Sequence, residues 1–316
     1  MPAHQAVAPQ PVPGRRRGSL ARTERFWGLL LSSPYILGLL FFAAGPILFS
    51  WIIGFFEWDS LTPPRFVALA NWQRLFTDPL FHKALFNTLY FVLGSVPPGV
   101  LLSLLLAMAV NRGIKGITIF RTIYFTPVVT SVVAVALVWT WIYDTNVGIL
   151  NLLIERTFKL FGARPPEPIA WLNDPRFAMP AIIAMSIWKG LGYNMVIFLA
   201  ALQDVPTQLY EAAELDGAGR LGKFRHVTLP MISPVTFFVL AVSLIGAFQV
   251  FDQIYIMAKD GRPANSTLTI VYHLYNHAFR YLEMGYASTI GAALFLMIFA
   301  VTLFQLWAQK RWVHYQ

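Results

Sequence analysis

The stretch EAAELDGAGRLGKFRHVTLP, Glu211 to Pro230, is a polar segment between two long apolar ones. The segment reproduces most of the phosphate-binding pattern G-x-x-x-x-G-K-[ST], with Gly217 followed after four residues by Gly222-Lys223. However, Phe224 stands at the Ser/Thr position and cannot coordinate Mg²⁺, and no strand pattern precedes the first glycine. The segment therefore predicts no ATP site on this chain.

The spacing within the segment instead predicts a helix–turn–helix. A short helix over Pro206–Asp216 would begin at a proline, a residue well placed near a helix start. Gly217 or Gly219 can supply the left-handed turn that ends this helix. A second helical stretch, 220–227, is predicted to end before Pro230.

One side of the first predicted helix carries only the small side chains of Ala212 and Ala213. Glu211 and Glu214 flank that side and are placed to meet a basic residue of another protein. The alternative is an ordinary solvated connector, in which the alanines only favour helix. The residues alone leave both interpretations open.

The rest of the chain has the composition of a membrane protein. Of its 316 residues, 57% are hydrophobic and 12% are charged, with a mean hydropathy of +0.57. A soluble domain carries about 25% charged residues. A helix that crosses the hydrocarbon core needs about 20 mostly apolar residues. Six segments meet this requirement: Trp27–Phe56, Ala84–Val110, Ile123–Tyr143, Pro180–Leu202, Pro234–Ala258 and Met284–Ala308.

The distribution of lysine and arginine predicts that both termini are cytoplasmic. Basic residues outnumber acidic ones in the N-terminal tail and in the loops on its side, whereas the opposite loops are nearly balanced. The net charge of +9 therefore reflects topology and not nucleic-acid binding. Residues 1–25 are predicted to be a disordered cytoplasmic tail, and residues 26–316 a single transmembrane domain.

The Glu211–Pro230 segment also resembles a known family. The pattern EAA, three residues, glycine, nine residues, an aliphatic residue, one residue and LP is similar to the cytoplasmic-loop motif of permease subunits of bacterial ABC importers. Valine at the aliphatic position, Val227, is a mild departure from the usual isoleucine. The flanks resemble the carbohydrate-uptake permeases of the maltose and glycerol-3-phosphate type, in the segments NTLYF (87–91), LQDVPTQLYEAAELDGAG (202–219), VTLPMISPV (227–235) and IGAFQVFDQIYIM (245–257).

The resemblance implies an all-α protein with six transmembrane helices and the ABC-importer permease fold, in the bacterial plasma (inner) membrane. It implies that the chain forms half of a pore for a sugar or sugar-like solute, together with a second permease subunit. Two separate ATPase subunits would bind ATP and Mg, and an extracytoplasmic solute-binding protein would deliver the solute. This chain would be no enzyme and would bind no cofactor itself.

The resemblance also assigns roles within the loop 204–230, which is the coupling loop of such permeases. By this analogy, the residues that contact the ATPase are Glu211, Ala212, Ala213 and Gly217. Leu229 and Pro230 would set how the loop rejoins the fifth span.

Polar side chains in the fourth span are candidates for the substrate pathway, because such groups usually face a cavity or a partner helix. The segment WKGLGYNM offers Tyr193 and Asn194, and Gly190 and Gly192 are expected to leave open space beside them. Lys189 is expected either to reach toward the outer interface or to pair with an acidic neighbour.

The fifth span carries a second polar group. Gln249, Asp252 and Gln253 are at i, i+3 and i+4, which would place them on one helical face. Contacts between helices are the alternative to a polar cavity. In sugar permeases of the resembled family, the matching segment contacts substrate.

Other function classes are less consistent with these patterns. An ion-coupled secondary transporter would use Asp252 as a proton or sodium site, and an ABC permease for a non-sugar solute is a further alternative. A membrane enzyme would need clustered acid, base, nucleophile or metal residues. His273 and His277 are four residues apart, but the sequence indicates no further ligand, so no metal site is predicted.

Overall fold

The computed structural model describes residues 17–111 and 116–313, with side chains described from residue 23. The chain divides into two units, one that ends at Ile52 and one that begins at Ile53. The first 16 residues of the predicted disordered tail lie outside the described part, and its last nine residues belong to the first helix.

The first unit is a helical run with exposed apolar side chains. It comprises α1 (Arg17–Leu39), a π-helical turn (Leu40–Ala44) and most of α2 (Gly45–Ile53). The wide turn lies just before Pro46, whose missing N–H cannot continue the α-helical ladder. Apolar side chains that are more than 60% exposed occur along the run, and they include Leu29, Leu31, Tyr35, Phe41 and Phe42. Such a helix is typical of a lipid-facing span.

The second unit is mainly helical. Its helices are α3 (Ala70–Thr77), α4 (Pro79–Val110), α5 (Ile117–Val129), α6 (Val132–Ile142), α7 (Ile149–Leu160), α8 (Ala178–Gln203), α9 (Thr207–Leu215), α10 (Arg220–Lys223), α11 (Leu229–Met231), α12 (Ser233–Phe248), α13 (Asp252–Met257), α14 (Ile270–Tyr275) and α15 (Met284–Gln309). Two π-helical turns (Phe224–Thr228 and Asn276–Arg280) and a 3₁₀ turn (Lys259–Gly261) complete the helical elements.

The all-α prediction needs one correction. The sequence predicts that the first span runs to Phe56, but helix α2 ends at Ile53. Two short strands follow, β1 (Phe56–Glu57) and β2 (Arg65–Phe66), and they pair in antiparallel register.

The core of the second unit is built on α4 and α8, which pack along each other. Gly94 faces the side chain of Ile183, so the missing Cβ allows the two helices to approach closely. Ser103 Oγ donates a 3.3 Å hydrogen bond to the Leu191 carbonyl. Residues of these two helices that have no exposed surface include Ala84, Ala107, Met185, Met195 and Phe198.

Within the described part of the chain, four helices are long and apolar enough to cross a membrane: Thr23–Ile53, Pro79–Val110, Ala178–Gln203 and Met284–Gln309. Two bent pairs make up to six spans if each pair is counted as one. Helices α5 and α6 meet at 102°, and the run that ends with α11 meets α12 at 66°. Each of the six predicted spans overlaps one of these four helices or one of the two bent pairs.

The fifth predicted span, Pro234–Ala258, is wrong as a continuous helix. Helix α12 ends at Phe248, and α13 begins only at Asp252. The break is stable inside the protein because Thr269 Oγ1 donates to the Val250 carbonyl at 3.2 Å and so replaces a helical donor. Gln249, Asp252 and Gln253 therefore do not share one helical face.

Candidate functional site

The loop 204–230 begins with helix α9, which confirms the predicted short helix. The helix ends in a turn whose two backbone bonds are typical of a glycine-terminated helix. Gly217 N–H donates to the Glu214 carbonyl at 3.0 Å, and Ala218 N–H donates to the Ala213 carbonyl at 2.8 Å. Gly217 has φ +80°, so it supplies the left-handed residue, whereas Gly219 is extended.

The second helical stretch does not end before Pro230, and that prediction is wrong. Helix α10, the π turn Phe224–Thr228 and α11 form one run to Met231. The π turn is closed before the proline, by the Leu229 N–H that donates to the Phe224 carbonyl, and Pro230 follows in α11, where it has no N–H to donate. The chain then bends by 66° around Ile232 into α12.

Helix α9 has an inner and an outer side. On the inner side, Tyr210 and Ala213 pack on the core, and the Tyr210 hydroxyl contacts Thr228 Oγ1 at 3.0 Å. On the outer side, Glu211 and Ala212 are exposed. Leu215, at the end of the helix, is 90% exposed. Glu211 and Ala212 of the EAA segment are thus presented outward, by a helix whose inner side contacts the π turn behind it.

The lysine of the phosphate-like pattern has another role. Lys223 Nζ lies 2.6 Å from Glu214 Oε2 and links α10 to α9. This hydrogen bond and the positive charge hold the pKa of Glu214 below its usual range. The residues around it form helices instead of a strand and a phosphate-binding loop, so the geometry agrees with the prediction that the pattern is not an ATP site.

A cavity of about 210 Å³ lies where α4, α8, α12 and α13 meet. Asn194 lines it and contacts Ser243, with Nδ2 3.5 Å from Oγ. Gln253 also lines it, and its Nε2 lies 3.4 Å from Ser186 Oγ. Two predicted pathway residues from different helices are therefore brought together.

Three other predicted pathway residues lie elsewhere. Tyr193 is 48% exposed, and Gln249 and Asp252 are also exposed; none of the three lines this cavity. Sequence reasoning missed the two serines that complete the polar wall, Ser186 and Ser243, because a single serine in an apolar helix is a weak signal.

The comparisons with known proteins agree with this geometry. The sequence pattern of the family described as "Binding-protein-dependent transport system inner membrane component" matches residues 99–314. The chain belongs to this family. It is 35% identical to the lactose transport system permease protein LacF of Rhizobium radiobacter, over 93% of this chain and 97% of that protein. It is 33% identical to the arabinooligosaccharides transport system permease protein AraP of Bacillus subtilis, over 95% and 94%.

A solved structure shows the same fold. The bacterial alginate ABC transporter, in complex with an alginate pentasaccharide-bound periplasmic protein, contains a chain that matches with a TM-score of 0.77. The identity is 23%, and the match covers 94% of this chain and 98% of the other. The resemblance found in the sequence is confirmed: the chain is a multi-pass membrane protein and a permease subunit of an ABC importer.

Lys189 of the permease has a role that the sequence did not reveal. Its Nζ donates to the carbonyls of Pro127 and Thr130, at 3.2 and 3.1 Å. These carbonyls lie at the bend between α5 and α6, where the helical ladder is interrupted. Lys189 therefore neither reaches toward the interface nor pairs with an acid; it caps the broken end of α5.

The two glycines beside Lys189 differ in their surroundings. A side chain at Gly192 would meet the backbone of Tyr124, so this position serves close helix packing and the expectation of open space there is wrong. A Cβ atom at Gly190 would meet nothing within 4 Å, and this glycine lines the cavity, as expected.

Proposed function

We propose that this permease forms half of a pore that carries a sugar or sugar-like solute into the cytoplasm, driven by ATP hydrolysis in separate subunits. Its family is defined by dependence on a binding protein. Relatives at 35% and 33% identity are named for lactose and arabinooligosaccharide transport. The observation that supports the proposal most is that one chain has both an exposed EAA helix, α9, and an uncharged polar cavity between α4, α8, α12 and α13.

The proposed role of α9 in coupling rests on the contacts that hold this helix against the rest of the loop. Glu211 and Ala212 would contact the ATPase. Ala213, which was also predicted to make this contact, packs on the core and would instead seat the helix, with Gly217 holding its end in place. The Tyr210–Thr228 and Glu214–Lys223 contacts join α9 to the run that leads into α12.

Movement of α9 by the ATPase would therefore move the bend at Ile232. Leu229 and Pro230 lie in the last turn before this bend, and they set the direction in which the loop 204–230 rejoins the membrane. At its other end α12 borders the cavity, so one rigid helix connects the docking surface to the proposed solute site.

The solute class follows from the cavity lining. Its polar residues are Ser95, Ser186, Asn194, Ser243 and Gln253, and none of the described residues that line it is charged. Hydroxyls and amides form hydrogen bonds with a neutral sugar, whereas an ion or a phosphate needs a charged partner. We assign Asn194 and Gln253 to this site.

The exposed residues Tyr193, Gln249 and Asp252 extend the proposed pathway. A second permease subunit would cover them and complete the pore, since all three positions are open to the surface of this chain. Their aromatic, amide and carboxylate groups can each contact a saccharide ring or hydroxyl.

The proposed complex has the composition expected from the sequence resemblance. It contains a related but different second permease, two ATPase subunits that hold ATP and Mg, and an extracytoplasmic solute-binding protein. The permease itself would catalyse no reaction. It would lie in the bacterial inner membrane with six crossings, both termini in the cytoplasm, and residues 26–316 as its transmembrane domain.

Affinity purification of the tagged permease from native membranes, followed by mass spectrometry, tests the complex. We expect an ATPase and a second six-helix permease to remain bound. The purified complex is then reconstituted in liposomes with its binding protein, and ATP-dependent uptake is measured for neutral saccharides and for a sugar phosphate. Recovery of the chain alone, with transport that needs no ATP, would overturn the proposal; uptake of the phosphate in preference to every neutral sugar would overturn the solute class.

A further inference from the structure

Two buried histidines and an aspartate meet between the start of α4 and the segment that follows α13. His273 lies on α14, His277 lies in the π turn Asn276–Arg280, and Asp78 precedes the first turn of α4. The histidine side chains are only 3% and 8% exposed. One ligand atom from each of the three residues lies within 4.8 Å of the others.

We propose that Asp78, His273 and His277 form a binding site for a divalent transition-metal cation of the Zn²⁺ class. Two imidazoles and one carboxylate are a donor set that zinc prefers, with one coordination position left for water or another ligand. Sequence reasoning found no third ligand for the histidines because Asp78 is 195 residues from His273.

The distance between the first two donors suits a shared cation. Asp78 Oδ2 lies 3.1 Å from His273 Nε2. Bonds of about 2.0–2.1 Å at a tetrahedral centre place neighbouring donor atoms roughly 3.3 Å apart. A cation can therefore replace the proton between these atoms with little movement.

The Asp78 carboxylate is held in position by two further donors. Leu80 N–H donates to Oδ1 at 2.8 Å, and the Tyr286 hydroxyl donates to Oδ2 at 2.7 Å. A carboxylate fixed in this way is preorganised to bind a cation, because its orientation costs no entropy on binding.

His277 is oriented by a different carboxylate. Its Nδ1 lies 2.6 Å from Glu283 Oε2. A neutral imidazole that donates Nδ1–H keeps the lone pair of Nε2 for a metal, which is the carboxylate–histidine–metal arrangement common in zinc proteins. Glu283 is itself bound by Arg74 through two hydrogen bonds of 3.1 and 2.9 Å. Glu283 thus positions His277, and its charge is balanced by Arg74.

The three proposed ligands line a cavity of about 420 Å³, which gives a cation room to enter with its water. Asn276 lines the same cavity, is 9% exposed, and has an Oδ1 atom with no hydrogen-bond partner among the described residues. A buried amide oxygen without a donor is suited to bind the cation or its water. The bound ion would tie the start of α4 to the segment between α13 and α15.

The experiment uses the purified permease complex, with a Strep tag in place of a histidine tag and no chelator after an initial EDTA wash. Zn²⁺ is titrated in competition with a fluorescent chelator, and bound zinc is counted by mass spectrometry. We expect one more equivalent per permease in the wild type than in His273→Gln or His277→Gln. Exposed His82→Gln and His226→Gln serve as matched controls and should bind as the wild type does.

Two further measurements separate a metal site from a purely structural cluster. Glu283→Gln should weaken zinc binding by about 10- to 100-fold. Wild-type protein loaded with Co²⁺ should show the intense visible bands of a four-coordinate site, which zinc then removes. The cobalt spectrum decides the question even if a histidine variant fails to fold. Equal zinc uptake by wild type and both histidine variants, or a wild type without cobalt bands, would overturn the proposal.

Discussion

The turn at Gly217 gives the sharpest test of the coupling loop, because the chain provides its own control at Gly219. A Cβ atom at either glycine meets none of the described residues within 4 Å, so alanine brings no steric clash with them at either position. The two differ in backbone conformation. Gly217 has φ +80°, whereas Gly219 has φ −69° in an extended conformation that any residue adopts.

The magnitude follows from this difference. An L-residue in the left-handed region costs roughly 1–2 kcal/mol. Gly217→Ala should therefore favour opening of the turn that ends α9 and weaken ATPase docking by about 5- to 30-fold. Gly219→Ala should leave docking unchanged.

The assay measures the Kd of the purified ATPase for the permease in nanodiscs, with insertion of each variant checked by size-exclusion chromatography. ATP-dependent uptake in liposomes provides a second readout. Equal Kd values for Gly217→Ala and Gly219→Ala would refute the argument that the left-handed turn positions the docking surface.

Three further predictions concern other parts of the permease. Lys189→Met leaves the carbonyls at the α5–α6 bend without their donor, so the protein should lose about 1–3 kcal/mol, seen as a lower thermal-unfolding midpoint in detergent; a midpoint equal to the wild type would contradict the capping role. Gln253→Ala and Asp252→Ala should each impair uptake while ATPase docking survives, and unchanged uptake kinetics would reassign either residue to packing. Acidification should destabilise the cluster around His273 and His277. Burial lowers the pKa of both histidines, so below about pH 6.5 the unfolded chain binds more protons than the folded one and stability falls as pH falls. In EDTA, the unfolding midpoint of the wild type should drop more between about pH 7.5 and about pH 5.5 than that of the double His→Gln variant, and equal slopes would contradict the reasoning.

Sequence reasoning succeeded where structure is determined locally. Helix α9 and its turn depend on residues within one or two helical turns, and the left-handed residue is one of the two glycines that the sequence offers for it. Four of the predicted spans are also long helices in the structure, because about 20 apolar residues in a row leave few alternatives. The family resemblance was confirmed by the match over residues 99–314.

Sequence reasoning failed where a distant residue decides the outcome. The break after Phe248 depends on Thr269, which satisfies the Val250 carbonyl from 19 residues away. Lys189 could not be assigned because its acceptors lie 62 and 59 residues earlier, on a bent helix. Such contacts leave no periodic signal, so only the folded chain reveals them.

The central claim is that the exposed side of α9 is the surface that receives the ATPase. The chain has no cysteine, so a single introduced cysteine reports on one position. Ala212→Cys carries a photo-crosslinker on the exposed side of α9, and Phe76→Cys, at a position 70% exposed on α3, is the control. After illumination of native membranes, we predict that Ala212→Cys becomes attached to the ATPase and that Phe76→Cys does not. An ATPase that copurifies with Ala212→Cys but is never crosslinked to it would contradict the claim.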